Sequence, residues 1–183
     1  MFGRLIHELT ERVVLESDSG LRVVMRLIRD EQVSGRLPVL LVLGGHRTGS
    51  DAVDLFGNVG RRVVIGIDYP YDGPEKVRGI RQTLTTIPPA RQAFLDTVPA
   101  VSLVIDWVTQ QPWADQNRII LIGGSLGVPF AATAAARDRR VSGVMLVHGA
   151  AFVCRHLCPW GRYRSGYGVF IFGTGNQCSG DHP

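Results

Sequence analysis

The chain has 183 residues, of which 45% are hydrophobic and 20% are charged, and this composition is typical of one globular domain rather than a disordered chain. Its net charge of +4 comes from basic residues that are scattered singly, which argues against a nucleic-acid partner. No apolar run approaches the ~18 residues that span a bilayer, and residues 1–14 contain no apolar stretch like that of a secretory signal peptide. We therefore expect a soluble, cytoplasmic protein with no membrane partner.

Most of the chain predicts an alternation of strands and helices. Two short β-rich runs on either side of a turn sequence predict a hairpin over residues 12–28. Continuous apolar runs, which are typical of parallel strands covered on both faces, follow at residues 37–45, 61–70, 118–124 and 141–150. Helices are predicted by a serine N-cap, by apolar residues at helical spacing and by an alanine-rich run, at residues 50–60, 99–111 and 125–140. The pattern predicts an α/β protein with a mostly parallel sheet sandwiched by helices.

Two parts of the chain do not follow this alternation. Residues 69–97 are rich in Pro, Gly and Thr, and we expect an irregular segment there, either a loop near the site or part of a cap. After Ala151 the helical period is lost, and one strand-like run remains at residues 169–172. The sequence therefore predicts a core over residues 1–150 and an atypical tail over residues 151–183, with the C-terminal strands incomplete.

Residues 123–127 read Gly-Gly-Ser-Leu-Gly, which is the pattern G-x-S-x-G between a predicted strand and a predicted helix. A serine nucleophile needs a sharp, strained turn so that its hydroxyl stands clear of the sheet, and glycines two residues away avoid a collision with the crossing strand and helix. In such a turn the backbone N–H of Leu126 points at the carbonyl oxygen of a bound ester and stabilises the oxyanion. The alternative is a glycine-rich turn with no catalytic role.

The loop after the run at 37–45 is the candidate source of a second oxyanion donor. His46 follows two glycines in this loop, and we expect it to donate through its backbone N–H. Its imidazole is equally compatible with a solvated loop side chain. The two N–H groups, of Leu126 and His46, would together form an oxyanion hole.

Residues 104–150 resemble the central part of α/β-hydrolases of the dienelactone hydrolase and prolyl-oligopeptidase-like type. Asp106-Trp107 stands where that family ends a helix, and Asp115 followed by Arg118-Ile119 stands where it connects this helix to the nucleophile strand. The resemblance extends over residues 12–150 and implies the α/β-hydrolase fold.

The same resemblance implies a mechanism. Ser125 would be the nucleophile of a serine esterase, with Leu126 and His46 as its backbone oxyanion donors. Its substrate would be a small-molecule ester or acyl compound, and no cofactor and no metal are implied.

A serine hydroxyl needs a base to take its proton, and in this fold the acid and then the histidine follow the serine. The carboxylates that follow are Asp138, which we expect at the far end of its helix, and Asp181. In the tail, the strand-like run at 169–172 is the candidate for the family's next strand, with Asn176 near the position of the acid.

Three histidines follow the serine in the chain. His148 is predicted to be a strand-end or core histidine. The candidate base is His182, and His156 is the other tail histidine that would supply one.

The three cysteines all lie in the tail. Cys154, Cys158, Cys178 and His182 have a C-x3-C…C-x3-H spacing with some zinc-ligand character, but they lack the usual two-residue spacing. The abrupt change in composition indicates a frameshifted or prematurely ended reading frame.

Three interpretations follow from these residues. The first is a serine-dependent acyl hydrolase. The second is an inactive, truncated hydrolase fragment or a binding module that keeps the serine turn only as scaffold. The third is a protein with a zinc-stabilised, regulatory tail. Because no base is evident, we expect weak or no turnover of an activated ester and little labelling by a fluorophosphonate.

Overall fold

A computed structural model describes residues 8–45, 48–71, 79–147 and 169–173. The elements in these ranges are, in chain order, β1 (Glu8–Glu16), β2 (Arg22–Asp30), β3 (Leu37–Leu43), a 3₁₀ helix (Gly49–Phe56), β4 (Val63–Ile67), α1 (Gly79–Thr109), β5 (Ala114–Gly124), α2 (Gly127–Arg137), β6 (Val141–Val147) and β7 (Val169–Gly173).

The strands form a seven-stranded sheet in the order β1-β2-β4-β3-β5-β6-β7. Its central strands β4, β3, β5 and β6 are parallel to one another. The strands β1, β2 and β7 pair antiparallel with their neighbours. The prediction of a mostly parallel sheet flanked by helices is therefore confirmed.

The sheet is covered on both faces. On one face α1 and α2 pack against a large apolar cluster that includes Leu41 of β3 and Leu121 of β5. On the other face the 3₁₀ helix packs against the sheet, where Val53 meets a cluster that includes Val64 of β4. Burial on both faces explains why these strands read as continuous apolar runs rather than as an alternation of apolar and polar residues.

The predicted hairpin is present and is longer than its sequence signal. β1 and β2 pair from Glu8 opposite Asp30 to Glu16 opposite Arg22. Their connection contains Gly20 at a φ of +81°, a value that glycine adopts without the cost of a side chain.

The prediction of a helix over 99–111 is confirmed for residues 99–109, whereas the prediction of an irregular segment over 69–97 is wrong from Gly79 onwards, because a single helix, α1, runs over 31 residues with three prolines inside it. Its buried stripe extends to the N-terminal side of Pro99, since Ala93 and Thr97 are buried along with the predicted apolar positions. The hydroxyl of Thr97 donates to the carbonyl of Ala93 at 2.6 Å, so this buried polar group is satisfied. We attribute the helix to burial of this stripe, which outweighs the local cost of the prolines.

Other element bounds also differ from the sequence prediction. The segment predicted as a helix over 50–60 is a 3₁₀ helix whose N-cap position is Thr48. Ser50, the predicted N-cap, lies inside this helix, and its N–H donates to Oδ1 of Asp68, the residue after β4. α2 begins at Gly127, since Ser125 and Leu126 belong to the preceding turn. Among the helices that the structure describes, α1 included, none combines the length and apolarity needed to cross a membrane.

Truncation of Ile105 tests the packing of α1. Ile105 is fully buried, and we expect Ile105→Ala to lower the free energy of unfolding by about 2–5 kcal/mol, because a cavity replaces its packed side chain. Ile87 lies on the same helix and is 55% exposed, so Ile87→Ala should change stability by less than about 0.5 kcal/mol. Urea denaturation of both variants measures the difference, and equal losses would contradict the burial assigned to α1.

Candidate active site

Ser125 lies in a strained turn between β5 and α2, which we call the elbow (residues 124–126). Its φ is +50°, and it is the one non-glycine residue with positive φ in the described ranges. Its N–H donates to the carbonyl of Val147 in β6 at 2.9 Å, and its carbonyl accepts from the N–H of Val128 at 3.2 Å. The side chain is exposed. The predicted strained strand-to-helix turn is confirmed.

The glycines on either side of the elbow are required by close packing. A Cβ at Gly123 would lie 2.7 Å from the carbonyl oxygen of Gly127 and 2.8 Å from the Cβ of Ala131. A Cβ at Gly127 would overlap the carbonyl of Leu43 in β3. The crossing strand and helix therefore exclude side chains at both positions, as the sequence pattern predicts.

The loop that follows β3 begins beside the elbow. A Cβ built on Gly45 would lie 3.6 Å from the Cβ of Ser125. The N–H of Thr48 donates back to the carbonyl of Gly45 at 3.2 Å, so these two residues lie close together. His46, the next residue after Gly45, lies outside the described residues, and its role as an oxyanion donor stays a prediction.

The second candidate donor, Leu126, stands at the N-cap position of α2. Its backbone is helical, with φ −59° and ψ −31°, and its side chain is half-buried. Within the described part of the chain, no carbonyl accepts the N–H of Leu126. This N–H, at the positive end of a helix, is therefore available to a bound anion, and its role in an oxyanion hole stays a prediction.

A tyrosine that the sequence analysis did not single out contacts the same loop. The hydroxyl of Tyr69, two residues after the end of β4, donates to the carbonyl of Gly44 at 2.5 Å. Its ring packs against Phe130 of α2, with ring centroids 5.7 Å apart. Burial raises the pKa of Tyr69 to about 12, so the hydroxyl keeps its proton at neutral pH.

The raised pKa of Tyr69 predicts a loss of stability in alkali. The unfolded state ionises this group from pH 10.0, whereas the folded state keeps the proton up to a pKa of about 12. Its contribution to stability is therefore complete below pH 10.0 and falls as the pH rises towards 12. Urea midpoints at pH 8, 10 and 11 measure this, and Tyr69→Phe should show a shallower decline. Parallel declines in the two proteins would contradict the assignment.

Asp138 is placed as the sequence analysis expects, away from the elbow. It caps the C-terminus of α2, an 11-residue helix, so it stands roughly 16 Å along the helix from the elbow. Its carboxylate pairs with Arg140 at 2.7 Å. The hydrogen bond from Arg140 holds the pKa of Asp138 below its usual value. This carboxylate stabilises a surface turn and does not face Ser125.

The strand predicted at 169–172 is present as β7, but its direction does not suit the predicted role as the strand that precedes the triad acid. β7 is antiparallel to β6, with Val169 opposite Val147 and Gly173 opposite Gly143. The carbonyl of Val147 accepts the N–H of Ser125, so the C-terminal end of β6 lies beside the elbow; we call this end of the central strands the elbow edge of the sheet. β7 therefore begins at the elbow edge and ends at the opposite edge, where β6 begins. The end of β7, three residues before Asn176, is therefore not at the edge where a triad acid belongs.

Several predicted site residues lie outside the described residues. They include the candidate bases His182 and His156, the predicted strand-end histidine His148, and the three cysteines of the zinc alternative, Cys154, Cys158 and Cys178. All five histidines of the chain lie outside the described residues. Among the residues that are described, no group of three or more His, Cys, Asp or Glu side chains is placed to hold a metal ion.

Comparison with solved structures shows that the fold is that of the α/β-hydrolases, as the sequence resemblance implies. The chain is similar to m3DLH (19% identity, TM-score 0.60), over 77% of this chain and 59% of that one. It is also similar to a putative dienelactone hydrolase from Klebsiella pneumoniae subsp. pneumoniae MGH 78578 (16% identity, TM-score 0.58), over 74% of this chain and 57% of that one.

A third similar structure is the acetyl xylan esterase from Paenibacillus sp. R4 (20% identity, TM-score 0.52), with 76% of this chain and 52% of that one covered. The chain thus spans less than two thirds of the length of each of these structures. No protein-family model matches the chain, and no curated protein matches it. Two of these three structures are named as a hydrolase or an esterase, and the likeness defines the fold.

Proposed function

We propose that this protein is a serine-dependent acyl hydrolase that acts on a small-molecule ester or acyl compound through Ser125. The observation that carries the proposal is the exposed serine held at a φ of +50° between β5 and α2. A non-glycine residue in this region of backbone space is costly, and such strain is characteristic of functional sites. The hydrolase fold of the chain supports the same assignment.

The proposed chemistry is acyl transfer in two steps. The hydroxyl of Ser125 attacks the carbonyl carbon of the ester, its proton passes to a base, and the alcohol leaves. Water then hydrolyses the acyl-enzyme and releases the acid. The N–H groups of Leu126 and His46 would stabilise the oxyanion of each tetrahedral intermediate, and one such donor is worth roughly 10²–10³ in kcat.

The base of the reaction is proposed from chain connectivity. The segment 148–168 joins Val147 to Val169, and these two residues pair at the elbow edge of the sheet. This segment carries His148 and His156. The sequence candidate His182 instead follows the end of β7, which lies at the opposite edge, so connectivity favours the other two histidines.

Ester turnover tests the proposal. The wild-type protein should hydrolyse nitrophenyl acetate slowly, because an oxyanion hole without a complete triad still gives roughly 10³–10⁴-fold acceleration over water. Ser125→Ala should lower the rate below that of the wild type, because no acyl-enzyme can form and only the acceleration from the oxyanion hole remains. If His148→Ala, His156→Ala or His182→Ala produces the same loss, that histidine is the base.

The inactive scaffold is the alternative, and the same assay distinguishes it. Equal rates for the wild type and Ser125→Ala, with both proteins folded by circular dichroism, would contradict the proposed activity. That result would instead support a binding module that keeps the elbow without its chemistry.

A further inference from the structure

Two consecutive residues that follow β4 hold the loop after β3 at both of its ends. We call residues 44–50 the β3 loop. At its start, the Tyr69 hydroxyl donates to the carbonyl oxygen of Gly44 at 2.5 Å. At its end, the N–H of Ser50 donates to Oδ1 of Asp68 at 2.6 Å. The two contacts therefore stand on either side of the predicted oxyanion donor, His46.

The two residues are themselves anchored to the core. The backbone N–H of Asp68 donates to the carbonyl of Val24 in β2 at 2.9 Å, which continues the sheet ladder beyond β4. The Tyr69 ring packs on Phe130 of α2, the helix that begins at the elbow. The β3 loop is thus tied to the sheet through one residue and to the elbow helix through the other.

We propose that Asp68 and Tyr69 are positioning residues, which hold the β3 loop so that Gly45, and with it the predicted oxyanion donor that follows it in the chain, stays beside Ser125. This inference rests on the proposed function. Neither residue touches the reacting atoms, and both act through the backbone of the loop. The resulting oxyanion donor belongs to the loop, whereas its position is set by the end of β4.

The physical need for such anchoring follows from the loop itself. Three of its seven residues are glycines, at 44, 45 and 49, so few side chains of its own restrict it. A catalytic group displaced by about 1 Å can lose roughly 10² in rate. The Tyr69 hydroxyl remains a donor throughout the working pH range, since burial raises its pKa to about 12.

The first test separates positioning from binding and from stability. Tyr69→Phe should lower kcat for Ser125-dependent ester cleavage about 10- to 100-fold, because the donor is misplaced. KM should change by less than about twofold, since the loop is proposed to act on the transition state. The matched control is Ser142→Ala, which removes a hydroxyl that donates to the Ile119 carbonyl at 2.9 Å near the opposite edge of the sheet. Its kcat should equal that of the wild type.

The second test uses a conservative substitution. Asp68→Asn keeps an oxygen that accepts the N–H of Ser50, so its kcat should stay within about threefold of the wild type. Asp68→Ala removes the acceptor and should lose kcat as Tyr69→Phe does. Hydrogen exchange measures the hydrogen bond between Ser50 and Asp68 independently of catalysis. The Ser50 amide should exchange at least about tenfold faster in Asp68→Ala than in Asp68→Asn.

The outcomes are distinguishable from those of the proposed function. Wild-type cleavage that exceeds Ser125→Ala, together with an unchanged kcat in Tyr69→Phe and Asp68→Ala, overturns the positioning role and leaves the hydrolase proposal standing. A rise in KM alone also overturns it. If the wild type shows no Ser125-dependent cleavage, the proposed function fails, and a Ser50 amide that still responds to Asp68→Ala then assigns the contact to loop stability alone.

Discussion

Gly127→Ala is expected to lower the free energy of unfolding by about 3 kcal/mol, because the added methyl group has no space beside β3. Its Cβ would overlap the backbone carbonyl of Leu43 and would lie 2.9 Å from the Cβ of the same residue. A backbone carbonyl in a central strand cannot rotate away, so either the elbow or β3 must move. We expect the elbow to shift, and any Ser125-dependent activity should fall with stability.

Gly124 provides the matched control within the elbow. At this position a Cβ would have the Leu43 carbonyl oxygen, at 3.9 Å, as its nearest neighbour, which is ordinary van der Waals contact. Gly124→Ala should therefore change stability by less than about 1 kcal/mol. Urea denaturation of the two variants measures the contrast. If Gly127→Ala is as stable as Gly124→Ala, the close approach of Gly127, at the start of α2, to Leu43 of β3 is incorrect.

Ser125→Gly is expected to separate stability from activity. The residue has a φ of +50°, a conformation that costs a non-glycine residue roughly 1–2 kcal/mol. Glycine adopts it without that cost but loses more entropy on folding, about 0.5–1 kcal/mol. We therefore expect the variant to be more stable than the wild type by about 0.5–1 kcal/mol while it loses the ester cleavage that depends on Ser125.

The comparison variant for this trade-off is Ser125→Ala, which removes the hydroxyl and keeps the strained backbone. It should lose the same activity without the gain in stability. Thermal or urea denaturation of the wild type and both variants gives the order. A Ser125→Gly protein less stable than Ser125→Ala would show that the φ of the elbow is not a source of strain.

Much of the site could be predicted from the sequence because its constraints are local. Glycines stand two residues on either side of Ser125 because a side chain there would collide with α2 or β3. The G-x-S-x-G pattern is the direct result of these collisions. The central parallel strands could also be predicted, since burial on both faces leaves continuous apolar runs in the sequence. These features leave a pattern within one short stretch of the chain, even where the contact itself is distant, as for Gly127 and Leu43.

The features that escaped prediction depend on distant partners. α1 continues through three prolines because a long apolar stripe is buried. Proline disfavours the interior of a helix, so the local sequence does not predict a helix there. The direction of β7 follows from its pairing with β6, which its own five residues do not encode. Asp68 and Tyr69 had a signal, however. They are polar residues directly after a fully buried strand, at the same sheet edge as Ser125.

Peptide mapping after exposure to nitrophenyl acetate tests the central claim most directly. If Ser125 is a nucleophile, mass spectrometry should find an acetyl group on the peptide that contains Ser125, and Ser125→Ala should lose this adduct while it remains folded. A folded wild-type protein that carries no acetyl group on Ser125, or that is acetylated to the same extent as Ser125→Ala, would contradict the account.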